Sequence, residues 1–239
     1  MKPESRQAVA HFLTAAGREL NAFLEGLEAD DYKAAVQMIR ESRRGGGRVH
    51  ITGIGKPGHV AGYMASLLSS TGTPAYFLHG TEAVHGSCGQ LVAGDVVICI
   101  SNSGETAELK ATVIAVKNNG CKVIGVTGDP GSWLARNSDL HLFAGVGEEG
   151  GPLNRAPRSS ILAELLTLQA LSVALQADCG QTPADYVRCH PANRGLCGKG
   201  GGHGPGGRLH AGDFRRVPAD AGGHGASGPG ALCVLRRLL

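Results

Sequence analysis

The run Ile100-Ser101-Asn102-Ser103-Gly104-Glu105-Thr106 has the residue types and spacing from which a reactive site is built. An apolar segment of strand length, 96–100, breaks into small hydroxyl residues and a glycine, then into a helical pattern over 105–118. The hydroxyls of Ser101, Ser103 and Thr106 and several free backbone N–H groups therefore gather at a helix N-terminus, which makes a cradle for phosphate. Glu105 is the part a cradle does not need. A carboxylate beside a bound dianion is repelled unless it faces the carbon skeleton and moves protons there, so the segment points to chemistry as well as binding.

A second anion-friendly turn, Gly53-Ile54-Gly55-Lys56-Pro57-Gly58-His59, follows a strand and opens a helix, with Pro57 suited to the first turn. It lacks both the GxxxxGK[ST] spacing of a nucleotide loop and the third glycine of GxGxxG, and a plain βα turn has the same composition. Its pairing with the serine turn on a neighbouring strand raises the functional reading, with the backbone at Gly55 joining the cradle. Further along, Glu82 and His85 stand three apart, Glu148 and Glu149 open a Gly/Pro-rich loop, and His190 follows a long helix. A loop histidine taken alone is more often solvated or capping than reactive.

The elements that must position these residues are readable from periodicity. Two amphipathic helices cover 5–28 and 31–43, with Val9, Phe12, Leu20 and Phe23 at three- and four-residue steps in the first. Strands at 49–52, 75–78, 96–100, 123–127 and 140–143 then alternate with helices at 60–70, 105–118, 132–137 and 160–176. The alternation predicts an α/β fold, a three-layer α/β/α sandwich with a parallel five-stranded sheet. Ligands of such sheets bind beyond the carboxyl ends of the strands, where both turns lie. Residues 1–45 read as N-terminal helices packing on the core and 46–190 as the ligand-binding domain. Residues 191–239 read as an irregular Gly-rich tail with 14 glycines, either disordered or translated out of frame.

Composition excludes several classes. The net charge of +3 comes from the tail, whose seven basic and two acidic residues leave 16 basic against 18 acidic in 1–190, so no basic surface calls for nucleic acid. No apolar run reaches the roughly 18 to 20 residues of a membrane span, and the polar start is unlike a secretory signal, so a cytoplasmic location is expected. Seven cysteines without a CxxC pair predict neither a disulfide framework nor a zinc site.

The ordered motifs GxGKxGH, EAxHG, ISNSGET, EExxPLxxAPxSS and HP resemble the sugar isomerase (SIS) family, in its arabinose-5-phosphate isomerase branch, over roughly 5–191. The resemblance implies phosphate binding by Ser101, Ser103 and Thr106 and catalytic roles for Lys56, His85, Glu105, Glu149 and His190. It implies conversion of ribulose 5-phosphate to arabinose 5-phosphate, toward the eight-carbon acid sugar of lipopolysaccharide, in a homotetramer whose sites borrow residues from neighbouring subunits. The alternatives are an isomerase of another phosphosugar or a non-catalytic sugar-phosphate binder. Moving a proton between C1 and C2 through a cis-enediol requires acid/base groups and an oxyanion stabiliser, and no metal or redox cofactor. A carboxylate with a raised pKa, Glu105 or Glu149, is the expected base. His190 or His85 would open the ring and move the oxygen proton, and Lys56 would stabilise enediolate charge. The chain departs from the family at Glu148-Glu149-Gly150-Gly151, at Arg155 and Arg158, and after His190, where HPGGxLG and the tandem CBS modules of many members find no counterpart.

Overall fold

A computed structural model describes residues 1–190 of the chain, so the expectations for 191–239 lie outside the described residues. Five short runs of mostly β-branched and aliphatic residues form the sheet: β1 (Val49–Gly53), β2 (Ala75–Phe77), β3 (Val96–Ile100), β4 (Lys122–Thr127) and β5 (Leu140–Phe143). All pair in parallel in the order β2-β1-β3-β4-β5. The expected α/β architecture is the observed one.

The helices are α1 (Pro3–Glu25), α2 (Lys33–Arg44), α3 (Lys56–Ser70), α4 (Gly80–Ala83), α5 (Ala107–Asn118), α6 (Trp133–Asn137), α7 (Ser159–Asp178) and α8 (Pro183–Cys189). Strand β3 shows why the sheet reads as continuously apolar. Val96, Ile98 and Ile100 belong to a core with Ile39 of α2, Met64 of α3 and Leu171 of α7, whereas Val97 and Cys99 join Leu109 and Val113 of α5 and Leu134 of α6. A strand covered on both faces has no polar side to alternate. Register at the amino edge is set by buried Asp95, which accepts hydrogen bonds from Arg48 N (2.7 Å) and Val92 N (2.9 Å) and lies 3.1 Å from His50 Nε2. That clamp fixes β1 against β3, and with them the two turns at the opposite edge.

Several boundaries differ from expectation for local reasons. α3 begins at Lys56 rather than near residue 60, and α5 begins at Ala107 rather than Glu105. The polar loop after β2 contains α4 and a 3-10 turn, Ser87–Gln90. α8 has too few apolar residues for periodicity; its readable signal was the reciprocal cap between Thr182 and Asp185, with Pro183 at the helix start. α7 corrects the expectation that no segment is long and apolar enough to cross a membrane, because by length and composition it is. Its apolar residues are used elsewhere: Leu168, Leu171 and Leu175 are buried in the core that also holds α2 and α3.

One acid interrupts that helix. Glu164 is fully buried, neither carboxylate oxygen has a hydrogen-bond partner among the described residues, and burial, reinforced by the charge of Glu149, pushes its pKa up to about 8.

Candidate functional site

β1 lies between β2 and β3, so the chain leaves β1 toward one neighbour and later returns on the other side. The crevice at such a reversal is where open α/β sheets place ligands. Register pairs Gly53 with Ile100, so the turns after β1 and β3 start side by side. The first enters α3 through its N-cap Gly55, followed at once by Lys56 and Pro57; the second enters α5 through its N-cap Thr106. Neither N-cap offers a side-chain acceptor to the first helical turn, so two helices present N–H donors and positive dipole ends at neighbouring strand ends.

The serine turn is shaped by its own hydroxyls. Buried Ser101 accepts a hydrogen bond from Gly104 N through Oγ (3.2 Å) and lies 3.1 Å from Thr106 Oγ1, while exposed Ser103 accepts from Glu105 N (3.2 Å). Gly104 has φ +62°, and a Cβ there would run into the Ser132 side chain. Gly104→Ala is therefore expected to cost about 1–3 kcal/mol and to distort the cradle. Thermal melting with and without inorganic phosphate checks this: a variant that melts like the parent, with the same phosphate-dependent gain, would contradict the assigned role.

The two candidate bases differ in their engagements. Glu105 Oε2 lies 2.5 Å from Lys110 Nζ, and Oε1 accepts from Trp133 N at 2.7 Å. The Lys110 hydrogen bond first, then the Trp133 amide, hold its carboxyl below the usual range. The raised pKa expected of a base is not found at Glu105, because both oxygens are bonded toward α5 and α6. Glu149 uses one oxygen: Oε2 accepts from Arg158 N (2.5 Å) and Ser160 N (3.2 Å) at the start of α7, and Oε1 has no hydrogen bond among the described residues. Lys56 is exposed, without an ion pair among those residues, and lines a groove of about 530 Å³ between α3 and α7 with Pro157 and Ile161. The lysine and the helix start capped by Glu149 thus flank one opening.

Of the two histidines, His190 lies apart from this group. His85 is exposed beyond α4, its N–H bonded to Glu82 O (3.0 Å). His190 ends α8, stacked on Tyr186 at 4.0 Å with Nδ1 2.9 Å from Tyr186 O. The segment leading into α8 begins beside Gly72, where Cys179 and Gln181 sit, at the end of α3 remote from Lys56. One protomer therefore groups Gly55, Lys56, the serine turn and Glu149 at the carboxyl edge, with Glu105 turned outward. Sequence reasoning missed His79, which lines a groove of about 340 Å³ with Gly53, Gly55 and His59 and whose Nδ1 accepts from Glu82 N at 3.3 Å. Its readable signal was an imidazole just before Gly80, two residues past the end of β2.

A family model described as SIS domain matches residues 44–174. Arabinose 5-phosphate isomerase KdsD of Pseudomonas aeruginosa is 42% identical over 162 residues, which cover 68% of this chain and 49% of that protein. The protein of the same name from Escherichia coli K12 is 44% identical over 145 residues, 61% of this chain and 44% of its own length. The chain spans about half the length of the curated relatives it matches. Among solved structures, E. coli CFT073 c3406 in complex with arabinose 5-phosphate superposes with a TM-score of 0.71 at 36% identity, covering 80% of this chain and 100% of that one. The family match runs from the end of α2 into α7 and takes in both turns, Lys56 and Glu149; the chain belongs to the SIS domain family.

Proposed function

We propose that this chain is a sugar-phosphate aldose–ketose isomerase that interconverts D-ribulose 5-phosphate and D-arabinose 5-phosphate through a cis-enediol. The observation that carries the reading is that a hydroxyl-lined turn, an exposed lysine and a carboxylate with one oxygen unbonded among the described residues all follow the carboxyl ends of strands in one sheet. The names of the curated relatives and the arabinose 5-phosphate bound by the structural neighbour support a pentose phosphate.

Each group has a task. Ser101, Ser103, Thr106 and the backbone at Gly55 hold the phosphate, which anchors C5 and leaves C1 and C2 at the far end of a five-carbon chain. Glu149 moves the proton between them through Oε1, and the Lys56 ammonium stabilises the negative charge that develops on the enediolate oxygen. His85 and His190 serve ring opening and proton exchange between the oxygens, in sites that borrow residues from neighbouring subunits of a homotetramer. Glu105 acts on the cradle, tying the serine turn to α6. The enzyme works in the cytoplasm, and its aldose product feeds synthesis of the eight-carbon acid sugar of lipopolysaccharide.

The test is to incubate the full chain with ribulose 5-phosphate in deuterated water and follow the products by NMR. Arabinose 5-phosphate is expected, with deuterium at C2 in the fraction whose proton on Glu149 exchanges with solvent before its return. No turnover of any phosphosugar in a panel, together with thermal stabilisation by the same compounds, would establish the non-catalytic alternative instead.

A further inference from the structure

The loop that carries Glu149 runs from 144 to 158, between β5 and α7, with no helix or strand of its own. Four successive backbone amides in it are each taken by a side-chain acceptor. Asn154 Oδ1 accepts from Glu149 N (2.6 Å) and Gly150 N (3.2 Å), while Glu19 Oε2, from α1, accepts from Gly147 N (2.5 Å) and Glu148 N (3.3 Å). The two acceptors are not equivalent. Asn154 belongs to the same loop, so it folds the loop on itself without fixing it to the body of the protein. Glu19 is 128 residues away on a separate helix, and only such a tether limits where the loop sits.

Other contacts with α1 reinforce the same seat. Arg18 bridges Glu19 and Glu148, 2.9 Å from an oxygen of each. Gly150 takes φ +69° and packs so closely on α1 that a Cβ there would lie 3.1 Å from Ala15 Cβ and 3.2 Å from Phe12 Cδ2. Glu149 is thus flanked by residues held on α1, while its carboxylate caps α7. Arg18 and the two loop amides also keep the Glu19 carboxyl ionised, its pKa below the ordinary value, so the acceptor stays fully charged at neutral pH.

We infer that Glu19 is a positioning residue of the reaction: through one carboxylate oxygen it anchors the 147–150 backbone and so sets where Glu149 meets the sugar. The inference rests on the reading of the chain as an isomerase with Glu149 as its proton-transfer group. The phosphate cradle lies on other loops and does not depend on this tether.

The experiment compares Glu19→Ala and Glu19→Gln with the parent by steady-state kinetics on ribulose 5-phosphate and by amide hydrogen exchange. Glu19→Ala is expected to lower kcat by roughly 10- to 100-fold, as a displacement near 1 Å does, with KM unchanged within about twofold. Glu19→Gln keeps a carbonyl oxygen for the two amides and is expected to recover most of kcat, and exchange at 147–150 is expected to accelerate in the alanine variant alone. An unchanged kcat in Glu19→Ala overturns the inference, as does a glutamine variant no better than alanine, or exchange that rises across the whole chain rather than in the loop. A parent without turnover overturns the isomerase reading and the catalytic part of this one together, and loop exchange then decides the anchoring by itself.

Discussion

Replacing Glu149 with glutamine is expected to lower turnover of ribulose 5-phosphate by about 10²- to 10⁴-fold, the usual contribution of a placed acid/base group. The substitution keeps an oxygen to accept from Arg158 N and Ser160 N, so the α7 cap survives. What it removes is the ability to carry a proton on Oε1. Melting temperature and stabilisation by inorganic phosphate should therefore stay near the parental values while kcat falls. Glu105→Gln is the comparison that decides. Both oxygens of Glu105 are already bonded, to Lys110 and to Trp133 N, so its loss loosens the serine turn without deleting a proton carrier. A Glu105→Gln variant that loses more kcat than Glu149→Gln would show that the base had been assigned to the wrong carboxylate.

Glu164→Leu is expected to stabilise the protein, increasingly so as pH rises. Glu164 is fully buried with neither oxygen hydrogen-bonded among the described residues, and burial raises its pKa from 4.5 to about 8. A carboxyl whose pKa rises on folding contributes its full share of stability below the unfolded value, and that share is lost as pH climbs through the folded one. At 1.36 kcal/mol per pKa unit, the gap between variant and parent should widen by roughly 3 to 4 kcal/mol between about pH 5 and pH 8. Leucine has a similar volume and no group to desolvate, so the cavity is not enlarged. In a protein of this size, the gain corresponds to about 6 to 16 °C in melting temperature. Melting curves of both proteins across that pH range give the answer, and a difference that does not change with pH would mean that Glu164 does not stay protonated on folding.

What the sequence made legible follows from the range of the forces involved. β1, β3 and β4 were readable as runs buried on both faces, β2 and β5 as short apolar runs although Tyr76, Phe77 and Phe143 are exposed, and the two turns because glycine, proline and hydroxyl residues act on their own backbone. The orientation of Glu105 was not, since it depends on Trp133, 28 positions away at the start of α6. Glu164 was hidden for a related reason: one acid in an apolar helix carries no periodic signal, and only packing decides whether it meets water. The Glu19 tether bridges 128 positions and leaves no local trace. Lys56 and the serine turn could be placed on neighbouring strands, but whether the histidines join them depends on the end of α8, where His190 stacks on Tyr186 rather than reaching Lys56.

The sheet order has a consequence for how the molecule comes into being. β2, β1 and β3 are successive neighbours drawn from residues 49–100, so every residue of this three-stranded parallel unit is synthesised before β4, β5 or α7. Each later strand lies on one side of that unit, β4 beside β3 and β5 beside β4. The two turns that start side by side belong to that first unit, whereas the 144–158 loop is held between α7 and α1, the earliest part of the chain. The paired turns thus rest on contacts near in sequence, and the seat of Glu149 on contacts that span most of the described chain.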